Sequence, residues 1–367
     1  MVVVGTAAEL GVEPDVVRSF YRSHWTAPVA LPRPDFYDWQ FLRHPGGSGG
    51  DDTMVALVDD QVVGVMGLDE RPFELAGERR RGAEATTWVV APQARGLGVG
   101  AAMLEGIQAR FEVFAGAGIT EAAQAVYVPA GFHFVRLLPR CVRVHRDDLP
   151  EDVARADRLG RRLIELRSPV VDRPFEATSV RDLASIPESA LRPPGPGAMN
   201  AFVRDAGYLR WRYVDHPAFD HALHLVSGGG DGALVVTRLG ESGGFRFCHV
   251  LDVLGDARDL PAVVAFLDAY AAERGAAITD FMGSSAVVHA QLRADGWFSM
   301  VDEPWLQVTH LFYPIEFRSP PTTSLILWSK GGLTDLLDVG RLHLTKGDLD
   351  LDRPTLAYYE MSEAPAR

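Results

Sequence analysis

Apolar and polar positions alternate with two different periods along the first 146 residues. Val16–His24 carries apolar residues at helical spacing, whereas Thr53–Val58 and Val62–Gly67 are short apolar runs separated by Asp59-Asp60. Two such runs around a pair of aspartates predict an antiparallel hairpin. Further on, Glu84–Ala91 predicts a longer strand and Gly100–Arg110 a helix. Phe111–Ala115 reads as a short strand, Glu121–Ala130 as a second helix, and Phe134–Val144 as the strand region completing the sheet. One helix, a meander and then β-α-β-α-β predict a mixed α/β fold.

The second half echoes the first. Trp39-Gln40-Phe41-Leu42-Arg43-His44-Pro45 aligns with Trp211-Arg212-Tyr213-Val214-Asp215-His216-Pro217 at an offset of 172 residues. Near that offset Val62–Leu68 falls on the apolar run Ala233–Leu239, and Tyr127–Phe132 aligns with Leu292–Trp297. Three matches in one order predict two related domains. Both His-Pro pairs read as helix stops, because proline disfavours helix at the residue before it. Between Arg146 and Glu165 charged residues and leucines recur at helical spacing, with Pro169 and Pro174 beyond, which predicts a surface helix and linker. The expected division is 1–146, a linker over 147–174, and 175–367.

The chemistry concentrates in Arg95-Gly96-Leu97-Gly98-Val99-Gly100, directly after an apolar run and before a helix-forming one. Glycines let successive backbone N–H groups converge, and a helix N-terminus adds partial positive charge, so this turn suits a phosphate-bearing ligand. It lacks the Gly-Lys-Ser/Thr ending of a Walker loop, and its G-x-G-x-G spacing is not the dinucleotide G-x-G-x-x-G. Arg95, Gly98 and Gly100 do match the Q/R-x-x-G-x-G/A loop of the GNAT acyltransferase superfamily. A second motif, A-x-x-x-Y-x-x-x-G-F, is matched by Ala123, Tyr127, Gly131 and Phe132. With two motifs in the family's order, residues 1–146 resemble a GNAT domain. Thr120 stands where an asparagine often opens the tyrosine helix and can still cap it.

The resemblance implies a mixed, mainly antiparallel sheet flanked by helices, in two tandem domains. It implies acetyl-CoA as cosubstrate, its pyrophosphate held by Arg95, Gly96, Leu97, Gly98, Val99 and Gly100, and its acyl carbonyl near Trp88, Val89 and Val90. It further implies that Tyr127 protonates the departing thiolate, since a phenol can donate to a developing thiolate. Glu84 is a candidate base; pairing with the neighbouring Arg79-Arg80-Arg81 is the alternative, and His133 a second candidate. Where the first half has this loop, the second has Leu254-Gly255-Asp256-Ala257-Arg258-Asp259-Leu260, whose aspartates would repel a pyrophosphate, and Leu292 replaces Tyr127. Its Tyr208–Pro217 element loosely resembles bacterial two-domain acyltransferase-like proteins. An N-acetyltransferase acting on a small-molecule amine is therefore expected, as monomer or homodimer. The alternatives are a non-catalytic acyl-CoA-binding sensor or scaffold, or transfer of a longer acyl group.

Composition narrows this further. At about 150 residues per domain, 367 residues make two or three domains. A net charge of -13 argues against nucleic acid or an anionic membrane as main partner and mildly favours a cationic substrate. Cys141 and Cys248 sit in apolar runs and are expected as buried thiols of a reducing compartment. With no leader-like start and no apolar run approaching ~18 residues, a cytoplasmic location is expected. No His/Cys cluster has zinc spacing, so no metal is expected. The acid–leucine alternation of Lys346–Pro354 reads as a solvated edge strand or loop.

Overall fold

The computed structural model describes residues 1–146, 165–166, 169–170, 172–242, 245–303, 312–313 and 322–363. Most of the surface helix and linker expected between Arg146 and residue 174 lies outside them. β1 (Val2–Thr6) leads into α1 (Ala7–Leu10), where Thr6 and Glu9 form a reciprocal capping box. α2 (Pro14–His24) is the predicted first helix, with proline in its first turn. α3 (Pro34–Tyr37) runs directly into a π-helical turn, Asp38–Leu42.

The predicted hairpin joins β2 (Met54–Val58) to β3 (Gln61–Leu75). Asp59 and Asp60 both adopt positive φ, 49° and 60°, as a two-residue connection of this hand requires. β3 then returns as β4 (Glu78–Val90), so Glu84 lies in mid-strand rather than at its head. α4 (Val99–Arg110), β5 (Val113–Ala117), α5 (Glu121–Tyr127) and β6 (His133–Val135) follow within two or three residues of their predicted limits.

β7 (Arg140–Val144) departs from expectation. It does not complete the first sheet with β6 but enters the second, between residues 278–282 and 298–299. The second half supplies β8 (Glu176–Ser179), β9 (Ala201–Phe202), α6 (Ala206–Leu209) with a π turn at Arg210–Val214, and β10 (Ala222–Ser227). Then come β11 (Ala233–Ser242), β12 (Phe245–Gly255), α7 (Leu260–Glu273), β13 (Ile278–Met282), α8 (Ala286–Ala294) and β14 (Phe298–Ser299). β15 (Phe312–Tyr313), β16 (Leu325–Ser329), β17 (Arg353–Pro354) and α9 (Leu356–Glu363) close the described chain.

One sheet has the order β1-β2-β3-β4-β5-β16-β6, with β9 added beside β3; the other is β14-β7-β13-β12-β11-β10-β8. Each half thus lends one strand, β16 or β7, to the same place in its partner's sheet, and the second half adds the short β9 as well. The match extends to detail. Among the described residues, the only parallel neighbours within these two sheets are β4·β5 and β12·β13, and β3/β4 and β11/β12 each carry a bulge. Gly296 has φ 85° where Gly131 has 86°, and Trp297 N donates to Leu292 O as Phe132 N does to Tyr127 O. Trp39 and Trp211 stack at 5.0 Å, and each indole N–H donates to the other's carbonyl, at 2.9 and 2.8 Å. The repeat is a pseudo-two-fold, and the tryptophan pair straddles its axis.

Both sheets turn one face onto a shared core, which holds Val55, Val65 and Leu325 from one and Leu234, Val236 and Leu251 from the other. Their outer faces pack separately against α4 and α5, or against α7 and α8. The boundary at 146 in the sequence therefore does not coincide with a boundary in space.

Candidate active site

β4 and β5 pair only from Gly82–Ala85 to Val113–Gly116, so Thr86–Val90 run on without a described partner on that side. The chain then makes a short turn at Pro92–Ala94 and enters the glycine loop. Gly96 and Gly98 both take φ 78°, and Gly98 is the N-cap of α4. Among the described residues no side chain caps that helix, so the amides of its first turn stay available. A Cβ built on Gly96 or Gly98 would meet no described atom within 4 Å, which leaves open space above the loop. Gly100 serves packing instead, because a Cβ there would come within 3.1 Å of the Trp88 ring and 3.3 Å of Val126. It lets α4 close onto β4. Arg95 is exposed and its Nε donates to Val90 O at 3.3 Å, while Leu97 is 63% exposed. Thr86 Oγ1 and Trp88 Nε1 are buried without a hydrogen-bond partner among the described residues. Trp88, Val89, Val90 and Arg95–Gly100 thus form one strand end and loop. Its open amides fit a phosphate-bearing ligand.

Tyr127 closes α5, which Thr120 caps by accepting the Ala123 N–H at 3.2 Å. Its ring meets Trp88 edge-on at 5.0 Å and Phe132 at 5.1 Å. Burial, with a smaller push from the Glu84 carboxylate, raises its phenol far above the ordinary value of 10.0, so the hydroxyl keeps its proton.

Glu84 lies 2% exposed at the inter-sheet core. The alternative of a surface pair fails, because Arg81 pairs with Glu70, and Arg80 with Glu78 and Glu112. Instead the Asp350 N–H donates to Glu84 Oε1 at 3.3 Å. Burial first, then Asp350 and Asp69, raise the Glu84 carboxyl well above 4.5. His133 is exposed on β6, away from this cluster.

Asp350 belongs to Lys346–Arg353, the segment expected to be solvated. It is buried between the sheets instead. Leu349 and Leu351 join the shared core, while the charges between them are answered from both halves. Lys346 meets Asp280 at 2.9 Å, Asp348 pairs with Arg71 and Arg204, Asp350 with Arg353, and Asp352 with Arg238. Sequence reasoning missed this role, because alternation marks two unlike faces but not whether buried cations await the charged one.

The second half's counterpart is shut. Asp259 sits at the start of α7, and its carboxylate accepts N–H bonds from Gly228, Gly230 and Gly232 at 2.8, 2.8 and 2.7 Å. Val250, Leu260, Val264, Phe281 and Leu292 are buried around a small apolar cavity of this half. At the register position of Glu84 stands His249, paired with Asp280.

Residues 16–132 match the sequence profile described as the acetyltransferase (GNAT) family. No curated protein matches the chain. Among solved structures, a GCN5-related N-acetyltransferase from Anabaena variabilis aligns at TM-score 0.54 and 12% identity, over 89% of this chain and 72% of that one. A probable N-acyltransferase of Enterococcus faecalis gives 0.53 and 12%, over 89% and 72%. Saccharomyces cerevisiae N-myristoyltransferase, solved with bound myristoyl-CoA and inhibitors, gives 0.52 and 9%, over 89% and 80%. At such identities the structures share the fold alone. The profile match spans the strand end, the glycine loop and the tyrosine helix together, so residues 16–132 carry the similarity to the acetyltransferase (GNAT) family, within a chain whose two-lobed fold is that of the aligned structures.

Proposed function

We propose that the first half transfers an acetyl group from acetyl-CoA to the amine of a small molecule, and that the second half builds the opposite wall without binding coenzyme. One asymmetry carries this reading: neither helix start is capped by a side chain among the described residues, but α4 follows an open glycine turn, whereas beside the α7 start the buried Asp259 carboxylate ties down the loop of Gly228, Gly230 and Gly232. Bound acetyl-CoA would supply a thioester activated toward amine attack. The α4 amides and Arg95 hold its phosphates, and the unpaired end of β4 offers backbone donors where charge develops on the carbonyl. Glu84 takes the proton of the attacking ammonium, and Tyr127, kept protonated by burial, donates to the sulfur as the carbon–sulfur bond breaks.

Titration calorimetry with acetyl-CoA should give one site per chain, and Gly98→Glu should abolish it. The substitution forces a side chain onto φ 78° and puts a carboxylate over the phosphate cradle. Two equal sites would overturn the asymmetry. Comparing acetyl-CoA with a fatty acyl-CoA in the same experiment distinguishes the donors, and release of free thiol across an amine panel separates an enzyme from a sensor.

A further inference from the structure

His44 belongs to the repeated Trp-x4-His-Pro element, yet it does something its counterpart does not. Its side chain is fully buried between two carboxylates, with Nε2 3.4 Å from Asp52 Oδ2 and Nδ1 3.8 Å from Asp69 Oδ1. Neither ring nitrogen has a hydrogen-bond partner among the described residues, and neither does Asp69 Oδ1. In the second half His216 Nδ1 instead accepts the N–H groups of Ala218 and Phe219, at 3.2 and 3.1 Å, and the ring stacks on Phe219. That histidine caps a turn. His44 faces acids on both sides.

Those acids lead to two places. Asp69 is the direct cross-strand partner of Glu84 on β3 and β4, a position that holds the two Cβ atoms about 5 Å apart. The other oxygen of Asp69 is engaged by Arg71 at 3.0 Å. On the far side, Asp52 lines a cavity of about 160 Å³ with Glu9, Ser48, Glu70, Arg81 and Arg110. Glu9 and Arg81 are half-exposed, so this cavity meets water. It lies by the C-terminal end of α4, roughly 18 Å along the helix from the glycine loop. Gly47 keeps the approach open: a Cβ there would fall 2.9 Å from both His44 Nε2 and Asp52 Oδ2.

We infer that His44 is a relay that positions Asp69 and carries the acceptor's proton from Glu84 to the solvent-facing cavity lined by Asp52 at the opposite end of the first half. This rests on Glu84 being the base proposed above. The proton balance is simple. Glu84 receives one proton from the ammonium and passes it to Asp69; Asp69 gives it to His44 Nδ1 while His44 Nε2–H goes to Asp52 and then to water. Each 3.4–3.8 Å gap closes by a small movement or one bridging water, and water that takes the Nδ1 proton and returns one to Nε2 restores the starting tautomer. The route lets chemistry proceed with the coenzyme and acceptor covering the other exit. The charged groups facing His44 are Asp52 and Asp69; Arg71, Asp350 and Glu84 lie one contact further.

Two measurements on the full chain test the relay. In His44→Gln, kcat should fall about 10-fold or more with the KM for acetyl-CoA unchanged, and added imidazole should restore part of the rate saturably. An unaltered kcat, or a loss that imidazole does not touch, would overturn it. Independently of turnover, NMR titration of the His44 ring should show its midpoint fall in Glu84→Gln, because one negative charge on the connected chain is gone. A midpoint unmoved by that substitution would also overturn it. Coupling intact with no turnover on any amine would sink the transferase reading alone; turnover intact with no coupling would sink the relay alone.

Discussion

Tyr127 and Glu84 share a buried environment that raises both groups, with opposite consequences for a proton donor and a base. Burial keeps the phenol protonated, which suits a donor, but it also makes full release of that proton costly. Tyr127→Phe removes only the hydroxyl and keeps the edge-on contacts with Trp88 and Phe132. If the hydroxyl donates to the leaving sulfur, steady-state turnover should fall ~10²-fold with coenzyme affinity preserved. An unchanged rate would assign the ring to packing. For Glu84 the same upward push opposes the proposed role. Its carboxyl is raised well above 4.5, and a base must be ionised, so kcat/KM should climb with pH through an acidic limb displaced above the ordinary carboxylate range. Glu84→Gln should remove that limb together with most of the activity, which a pH–rate profile reads directly.

At the scale of elements, the helices and strands of the first half were legible because each had its own punctuation. The Asp59-Asp60 turn, the Thr120 cap and Gly131 at φ 86° all act within a few residues. β7 and the Lys346–Arg353 segment were not, because the partners that decide them lie far along the chain, β13 and β14 for the strand and Arg71, Arg204 and Arg238 for the segment, and no local pattern names them. β7 has an apolar pattern that suits either sheet, and pairing with β13 and β14 decides it. The C-terminal segment shows an apolar face and a charged face, and only Arg71, Arg204 and Arg238 make the charged face a buried one. Such pairs contribute little over a hydrophobic replacement, but breaking one strands a desolvated charge. Asp348→Asn leaves Arg71 and Arg204 short of a carboxylate at a fully buried site. Urea unfolding should show a loss of about 3 kcal/mol or more. A loss under about 1 kcal/mol would mean the two arginines find other acceptors.

Over the whole molecule, the repeat visible in Trp39–Pro45 and Trp211–Pro217 proves to be a pseudo-two-fold in which each half completes the other. Without β16, β5 and β6 would each face solvent along an unpaired edge, and without β7 so would β13 and β14. The shared core draws on both sheets and on Leu342–Leu351, so neither half alone could cover its inner face. The consequence is mutual dependence rather than two independently folding domains. A chain ending at residue 146 should be insoluble or lack the sharp cooperative melt of the intact protein. Co-expressed with a chain starting at residue 165, it should be recovered as a one-to-one complex that melts cooperatively and regains acetyl-CoA binding in calorimetry. A first half that melts cooperatively by itself would show that the lent strands decorate two finished domains. The exchange then could not be what fixes the angle between the open, coenzyme-facing half and the closed one.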